Sequence, residues 1–306
     1  MVTIKKKKPR GKEYYYLVHN YRVDGKTKRL EKYLGSTIPD NIDEIKAKFF
    51  REIYSEIWFT KLDLVQENFF RVTKDLPKSI VKKNFSDFAI QFTYNSNRIE
   101  GNTLRLHDTR LLLQDGISPS NKPIDDIKEI ENHQNVFYDM VEYEGELSET
   151  IILRWHYDLL KDTKYDIAGD YRKYDVGIEG SDYRPPLGIE VADLIRDFYE
   201  WFNRSEYKLH PVELAALVHQ KFVSIHPFGD GNGRISRLIM NFILNRFNFP
   251  MIIIDYKKRS AYYNALKRSQ LNDDPYIFVQ YIFRVFLKTY NKFTEILSKI
   301  EFSGDV

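Results

Sequence analysis

The stretch "HPFGDGNGRISR" (226–237) gathers an imidazole, a carboxylate, closely spaced glycines and two guanidinium groups. The His226 imidazole has an ordinary pKa near neutrality and can take a proton from an attacking hydroxyl. Asp230 offers a hard oxygen ligand, suited to a Mg²⁺ ion that keeps several waters and bridges phosphates. Glycines at 229, 231 and 233 let backbone N–H groups turn inward as a nest for phosphate oxygens. Arg234 and Arg237, three positions apart, share one helical face and carry forks shaped for phosphate. Together these groups describe transfer of a nucleotide phosphate onto a hydroxyl. The stretch is not a Walker P-loop, since no lysine-serine follows the glycines and no strand precedes them.

Two helices must hold this chemistry in place. "PVELAALVHQKFVSI" keeps apolar residues at helical spacing up to Ile225, and "RISRLIMNFIL" resumes the pattern near Arg234. The loop therefore leads into a helix N-terminus, whose unpaired N–H groups and dipole favour anions. Phe228 reads as an apolar anchor under the loop. Residues 80–300 are helical by periodicity throughout, with one interruption at "YRKYDVGIEGSDYRPPLGI" (171–189). Its Val-Gly-Ile alternation and Gly180-Ser181 predict a short β-hairpin flap, which Pro185-Pro186 stops. The main body is expected to be mainly α, a helical bundle with that small flap. "KEYYYLVHNYRVDGKTKRLEKYLG" (12–35) predicts a β-hairpin turning at Asp24-Gly25. After a linker in which Asp40 or Asn41 can cap, residues up to about 74 predict one or two amphipathic helices. Three regions result: a basic hairpin over 1–38, a helical extension over 39–79, and a helical catalytic body over 80–300.

The 306 residues carry a net charge of +3, concentrated as lysine and arginine in the first 33 residues. That cluster suits phosphates or an acidic protein face, so nucleic acid is a candidate partner through residues 5–33. The run "KKKKPRGK" otherwise reads as a solvated, disorder-prone end. Against nucleic acid, no helix-turn-helix or zinc pattern is readable there. Cysteine is absent, which removes disulfides and thiolate metal sites and makes a cytoplasmic location the expectation. No apolar run approaches the roughly 20 residues that cross a bilayer, and the basic start lacks the apolar region of a secretory signal.

His-Pro-Phe-Gly-Asp-Gly-Asn-Gly-Arg-Ile-Ser-Arg resembles the HxFx(D/E)GNGRxxR signature of the Fic-domain family at every defined position. The similarity extends over about residues 80–290 and implies a Fic-type fold that transfers AMP from ATP to a Ser, Thr or Tyr hydroxyl of a target protein. The resemblance implies His226 as the base and Asp230 as the holder of a Mg²⁺ that bridges the α- and β-phosphates. Gly231, Asn232 and Gly233 become the anion cradle, and Arg234 and Arg237 the ligands of the β- and γ-phosphates. "AGDYRKYDVGIEGSDYRPP" resembles the family's flap, so Val176, Gly177, Ile178, Glu179, Gly180 and Ser181 are expected to pin the target backbone. "RSAYYNALKRSQ" resembles the adenine-side helix, with Tyr262, Tyr263 and Gln270 around the base. At the last of these positions the family often has asparagine.

Upstream, "SNRIEGN" resembles the inhibitory (S/T)xxxE(G/N) motif of Fic proteins that carry their own brake. It comprises Ser96, Glu100, Gly101 and Asn102. A helix ending at Glu100 with glycine after it is a reasonable C-terminal stop. A carboxylate there opposes the helix dipole and calls for a cation, which in the family is the second signature arginine, here Arg237. The resemblance leaves three alternatives open: removal of AMP from a modified target, transfer of phosphate or another nucleotide, and a Fic domain serving a DNA- or partner-binding regulator. The phosphate-transferring branch has lysine where this chain has Gly233. A second copy of the chain, forming a homodimer, is a further candidate partner.

Overall fold

Alternating aromatic, β-branched and charged residues build a sheet at the start of the chain. Thr3–Lys7 (β1), Tyr14–Val23 (β2) and Lys26–Gly35 (β3) are antiparallel in the order β1-β2-β3. The computed structural model describes residues 2–23, 26–178 and 180–294; the expected Asp24-Gly25 turn lies outside them. The hairpin expected from sequence is thus extended by a third strand, and the lysine run is ordered rather than a loose end. Thr3 pairs with Val18 and Lys7 with Tyr14, satisfying the open edge of β2. Glu13 neutralises Lys6 and Lys8. The 39–74 stretch becomes α1 (Ile42–Tyr54), a five-residue π-helical turn (Ser55–Phe59) and α2 (Thr60–Thr73). Asn41 precedes α1, but its side chain makes no capping bond. Phe49, Phe50, Ile53 and Tyr54 are buried along one stripe of α1. The chain forms two compact units, Met1–Val65 and Gln66–Val306, and the division falls within α2.

The second unit is helical. It contains α3 (Lys78–Ile99), α4 (Leu106–Asp115), α5 (Ile124–Glu142), α6 (Glu149–Leu160) and α7 (Val191–Ser205). These are followed by α8 (Pro211–Ile225), α9 (Asn232–Arg246), α10 (Arg259–Leu271) and α11 (Tyr276–Thr289). Pro211 opens α8, where a missing N–H costs nothing. α8 and α9 pack as an antiparallel pair, with α3, α5 and α6 against α9 and with α7 and α11 against α8. Both central helices are buried on nearly every side, because other helices enclose them. Ile235, Leu238, Ile239, Met240, Ile243 and Leu244 have no exposed surface. None of the described helices is long and apolar enough to cross a membrane.

The flap differs from expectation. The described residues of 171–187 contain no strand. Pro185 and Pro186 lack N–H donors for a ladder, and the carbonyls of Tyr174 and Pro186 accept bonds from the Arg172 guanidinium, each at 2.8 Å. The segment is an irregular strap tied down by a side chain.

Candidate active site

The site begins where α8 stops. His226 takes left-handed backbone angles, φ 53° and ψ 57°, as the cap of α8, and its N–H reaches the Phe222 carbonyl at 3.1 Å. A non-glycine residue in this region is strained by about 1–3 kcal/mol and needs support from its surroundings. Arg172 supplies it: its Nε donates to the His226 carbonyl at 2.7 Å, and its own N–H to the Pro227 carbonyl at 2.9 Å. The His226 Nδ1 lies 3.3 Å from the Val223 carbonyl. A carbonyl can only accept, so Nδ1 carries the hydrogen and Nε2 keeps its lone pair. Burial lowers the His226 pKa below 6.5, partly offset by the Val223 carbonyl, so the ring is a neutral base at pH 7. It lines a cavity of about 760 Å³.

The loop beyond is fastened from beneath. Phe228 is fully buried and stacks on the His156 ring, with centroids 3.6 Å apart and planes 4° from parallel. Nδ1 of His156, on α6, accepts the Gly169 N–H at 2.9 Å, so its Nε2–H donates to the Asp230 carbonyl at 3.0 Å. Burial drives the His156 pKa down to about 4. Asn232 bonds both backbone groups of Phe228, each at 2.9 Å. Its side chain is a staple for the loop, which leaves only its backbone N–H to face an anion. Gly231 caps α9 at φ 77°, a left-handed conformation that favours glycine. A Cβ at Gly233 would fall on the Glu100 carboxylate.

The Asp230 carboxylate is oriented by three donors. Oδ1 accepts the Gly231 N–H at 2.5 Å, while Oδ2 meets Lys164 Nζ and, at 3.2 Å, an Arg234 nitrogen. Burial alone would raise its pKa, but Arg234 and Lys164 hold it far below the ordinary carboxylate range. The position is already one where a cation sits. No group of three or more acidic, histidine or cysteine side chains that could hold a metal occurs among the described residues. A lone ionised carboxylate suits Mg²⁺, which takes few protein ligands and completes its shell with phosphate and water.

Arg234 and Arg237 stand beside the nest: Arg234 reaches Asp230 at 3.2 Å, and Arg237 Nη1 lies 3.1 Å from where a Cβ on Gly233 would stand. Both are about 1% exposed, buried under the first turns of α9. Arg234 pairs with Glu129 at 3.1 Å as well as with Asp230. Arg237 donates to the Ser96 hydroxyl at 3.0 Å, the Ser96 carbonyl at 2.8 Å and Glu100 Oε1 at 2.7 Å. Burial disfavours its charge, yet Glu100 and Tyr262 outweigh that and hold it protonated. Ser96 and Glu100 reach one guanidinium because they stand one turn apart at the end of α3. Gly101 then turns at φ 102°, and Asn102 is buried, bonding the Asp126 carbonyl at 2.8 Å and Glu129 at 3.3 Å.

Glu100, Gly101, Asp230, Gly231, Asn232 and Gly233 line the same cavity as His226. Tyr262, Tyr263 and Gln270 line it from α10. The Tyr262 hydroxyl lies 3.3 Å from Arg237 and 3.0 Å from His219 Nε2; Tyr263 donates to the Ile99 carbonyl at 3.0 Å. Gln270 reaches the Ser224 hydroxyl at 3.1 Å. Gly177, Ile178, Gly180 and Ser181 of the strap form another wall. Val176 is not among the lining residues, and Glu179 lies outside the described ones. Sequence reasoning passed over His156, Lys164, Arg172 and Glu129. None belongs to a local pattern: His156 sits on an apolar helix face, and the others are single charges far from the loop in sequence.

Residues 146–244 match the Fic/DOC family. Over 200 residues the chain is 38% identical to a Drosophila willistoni protein named protein adenylyltransferase Fic, covering 64% of this chain and 40% of that protein. It therefore spans about two-fifths of the length of such curated relatives. A Fic-domain-containing signaling protein from Bacteroides thetaiotaomicron shares the fold with a TM-score of 0.69 and 27% identity, over 77% of this chain and 97% of the other. Fic-1 from C. elegans also superposes with a TM-score of 0.69, at 25% identity, over 85% of this chain and 76% of that one. Residues 146–244 thus carry a Fic/DOC family domain, set in a helical frame of the same fold as these solved structures.

Proposed function

We propose that this chain is a protein adenylyltransferase that moves AMP from ATP to a hydroxyl of a target protein, with Glu100 as its own brake. The observation that carries the reading is the convergence of the His226 Nε2 lone pair, the Asp230 carboxylate and the α9 N-terminus on one cavity. The names of the relatives support the choice of AMP. His226 accepts the proton of the target hydroxyl at Nε2 as that oxygen bonds to the α-phosphorus, and the bond to the bridging oxygen breaks to release pyrophosphate. First-turn amides of α9 at Asn232 and Gly233 face the phosphates. Asp230 would hold Mg²⁺, which when bound offsets phosphate charge. In the strap, Gly177, Ile178, Gly180 and Ser181 present backbone to an extended segment of the target, aligning its hydroxyl.

The brake follows from competition for Arg237. Its fork is engaged by Ser96 and Glu100, so a γ-phosphate can pair with it only after the carboxylate withdraws. While Glu100 stays, the γ-phosphate has no seat on Arg237 and the α-phosphate is not brought into line. The test is incubation with ATP labelled at the α- or γ-phosphate. Glu100→Gly should label itself more strongly than wild type with the α-label alone, and adding His226→Ala should erase the signal, by about 10²–10⁴-fold. A γ-label in the product would replace AMP transfer with phosphate transfer. Glu100→Gly no more active than wild type would refute the brake.

A further inference from the structure

The charge of the chain is divided. Residues 1–35 hold eleven lysines and arginines against three acids; with 47 and 44 in the whole chain, the rest carries 36 against 41. The segment is thus net +8 and the remainder net −5, which concentrates attraction for polyanions on the sheet.

The two faces of that sheet differ. One is covered by the helix that follows: Tyr21 donates to Glu56 at 2.6 Å, Lys32 pairs with Glu52 at 3.2 Å, and His19 meets Phe50 edge-on at 6.1 Å. Lys28 also pairs with Glu56, so Lys28 and Lys32 are engaged with acids of that helix. Strand alternation and register put Tyr14, Tyr16 and Asn20 of β2 on the other face, beside Lys5 and Lys7 of β1 and Arg29 and Tyr33 of β3. Asn20, Arg29 and Lys5 are exposed, and Tyr33 is 56% exposed. Among the described residues Glu31 is the acid on this face, and it holds Lys7 and Arg29. Lys5, Arg10 and Lys12 have no acidic partner among the described residues and are exposed.

We infer that this open face binds double-stranded DNA, with Lys5, Arg10 and Lys12 on phosphates and the Asn20–Arg29 cross-strand pair toward the base edges. Two neighbouring strands, about 4.8 Å apart, make a ribbon that enters a major groove about 12 Å wide. Arginine and asparagine are the side chains that pair with guanine and adenine edges there. Unpaired strands fit less well, because they need flat aromatic platforms. Here Tyr33 packs on Tyr14 and Tyr16 with planes tilted 53° and 57°, and the Lys7 ammonium lies 4.6 Å from the Tyr16 ring centre. The inference is independent of the adenylyltransferase reading.

The test is fluorescence anisotropy of the full chain with a labelled 20-base-pair duplex, the matching single strand, and polyglutamate, at about 50 and 200 mM salt. Three phosphate contacts predict a log–log salt slope of about −2.7, or roughly fortyfold weaker binding across that range. Lys5→Ala with Arg10→Ala and Lys12→Ala should abolish most of the binding and flatten the slope while the circular dichroism spectrum stays unchanged. His226→Ala should bind DNA as wild type does, whether or not it transfers AMP. No duplex binding at the lower salt overturns the inference, as does a triple variant that binds normally. Tighter binding of the single strand, or equal binding of polyglutamate, overturns it as well.

Discussion

Replacing Glu100 with glutamine keeps the outline of the side chain and deletes the charge that faces Arg237. The two groups are 2.7 Å apart, with the arginine side chain 1% exposed and the glutamate 30% exposed. Removing one partner of a buried pair costs about 3–5 kcal/mol. Water at the Glu100 end and the amide oxygen that still accepts from Arg237 reduce this to about 2 kcal/mol. A helical unit of this size loses about 2–4 °C of Tm per kcal/mol, so the variant should melt about 4–8 °C lower. On the proposed reading the same free energy opposes nucleotide binding in the wild type, whose carboxylate would have to leave Arg237 before a phosphate could take its place. Glu100→Gln should therefore bind ATP with Mg²⁺ about thirtyfold more tightly, the equivalent of about 2 kcal/mol. Scanning fluorimetry without nucleotide measures the first effect, and calorimetric titration measures the second. A variant as heat-stable as wild type, or one with unchanged ATP affinity, would refute the argument that one guanidinium serves both the carboxylate and the phosphate.

Other consequences concern pH and the Asp230 carboxylate. With its pKa lowered by burial, His226 should place the acid limb of AMP transfer, where the base is protonated, below the ordinary histidine value of 6.5; a rate limb centred above about pH 7 would contradict this. His156 has a folded pKa of about 4 against 6.5 when unfolded, so between those values the unfolded chain binds the proton that the folded chain refuses. Its stabilising effect is complete above pH 6.5 and is lost as pH falls through this window, by about 3 kcal/mol. Urea titrations across that range should show the slope, and His156→Asn should reduce it. Lys164→Ala removes a cation from Asp230, and since both are partly exposed the Mg²⁺ needed for ATP binding should fall only about two- to fivefold. An unchanged or higher Mg²⁺ requirement would show that Lys164 does not compete there.

Local signals carried the helical body far. The 3.6-residue periodicity of 211–225 and 234–244 placed α8 and α9, and the glycines between them placed the loop. Gly101 likewise marked the end of α3. The same logic failed at the strap, where a strand-like alternation of residues found no strand to pair with and Arg172 took the carbonyls instead. It also failed at the lysine run, because a solvated coil and an edge strand look alike until a neighbour's unpaired backbone is known.

What the sequence determined by itself was the chemistry on offer: a base, a carboxylate and a glycine-rich helix entry within twelve residues, held together by covalent spacing and by turn geometry. Tertiary structure alone decided how those groups are disposed. It turned Asn232 into a staple, set His156 under Phe228, and buried Arg237 against Ser96 and Glu100. Such outcomes depend on contacts between residues as many as 141 positions apart, and no local periodicity encodes which distant side chain will fill a given donor or acceptor.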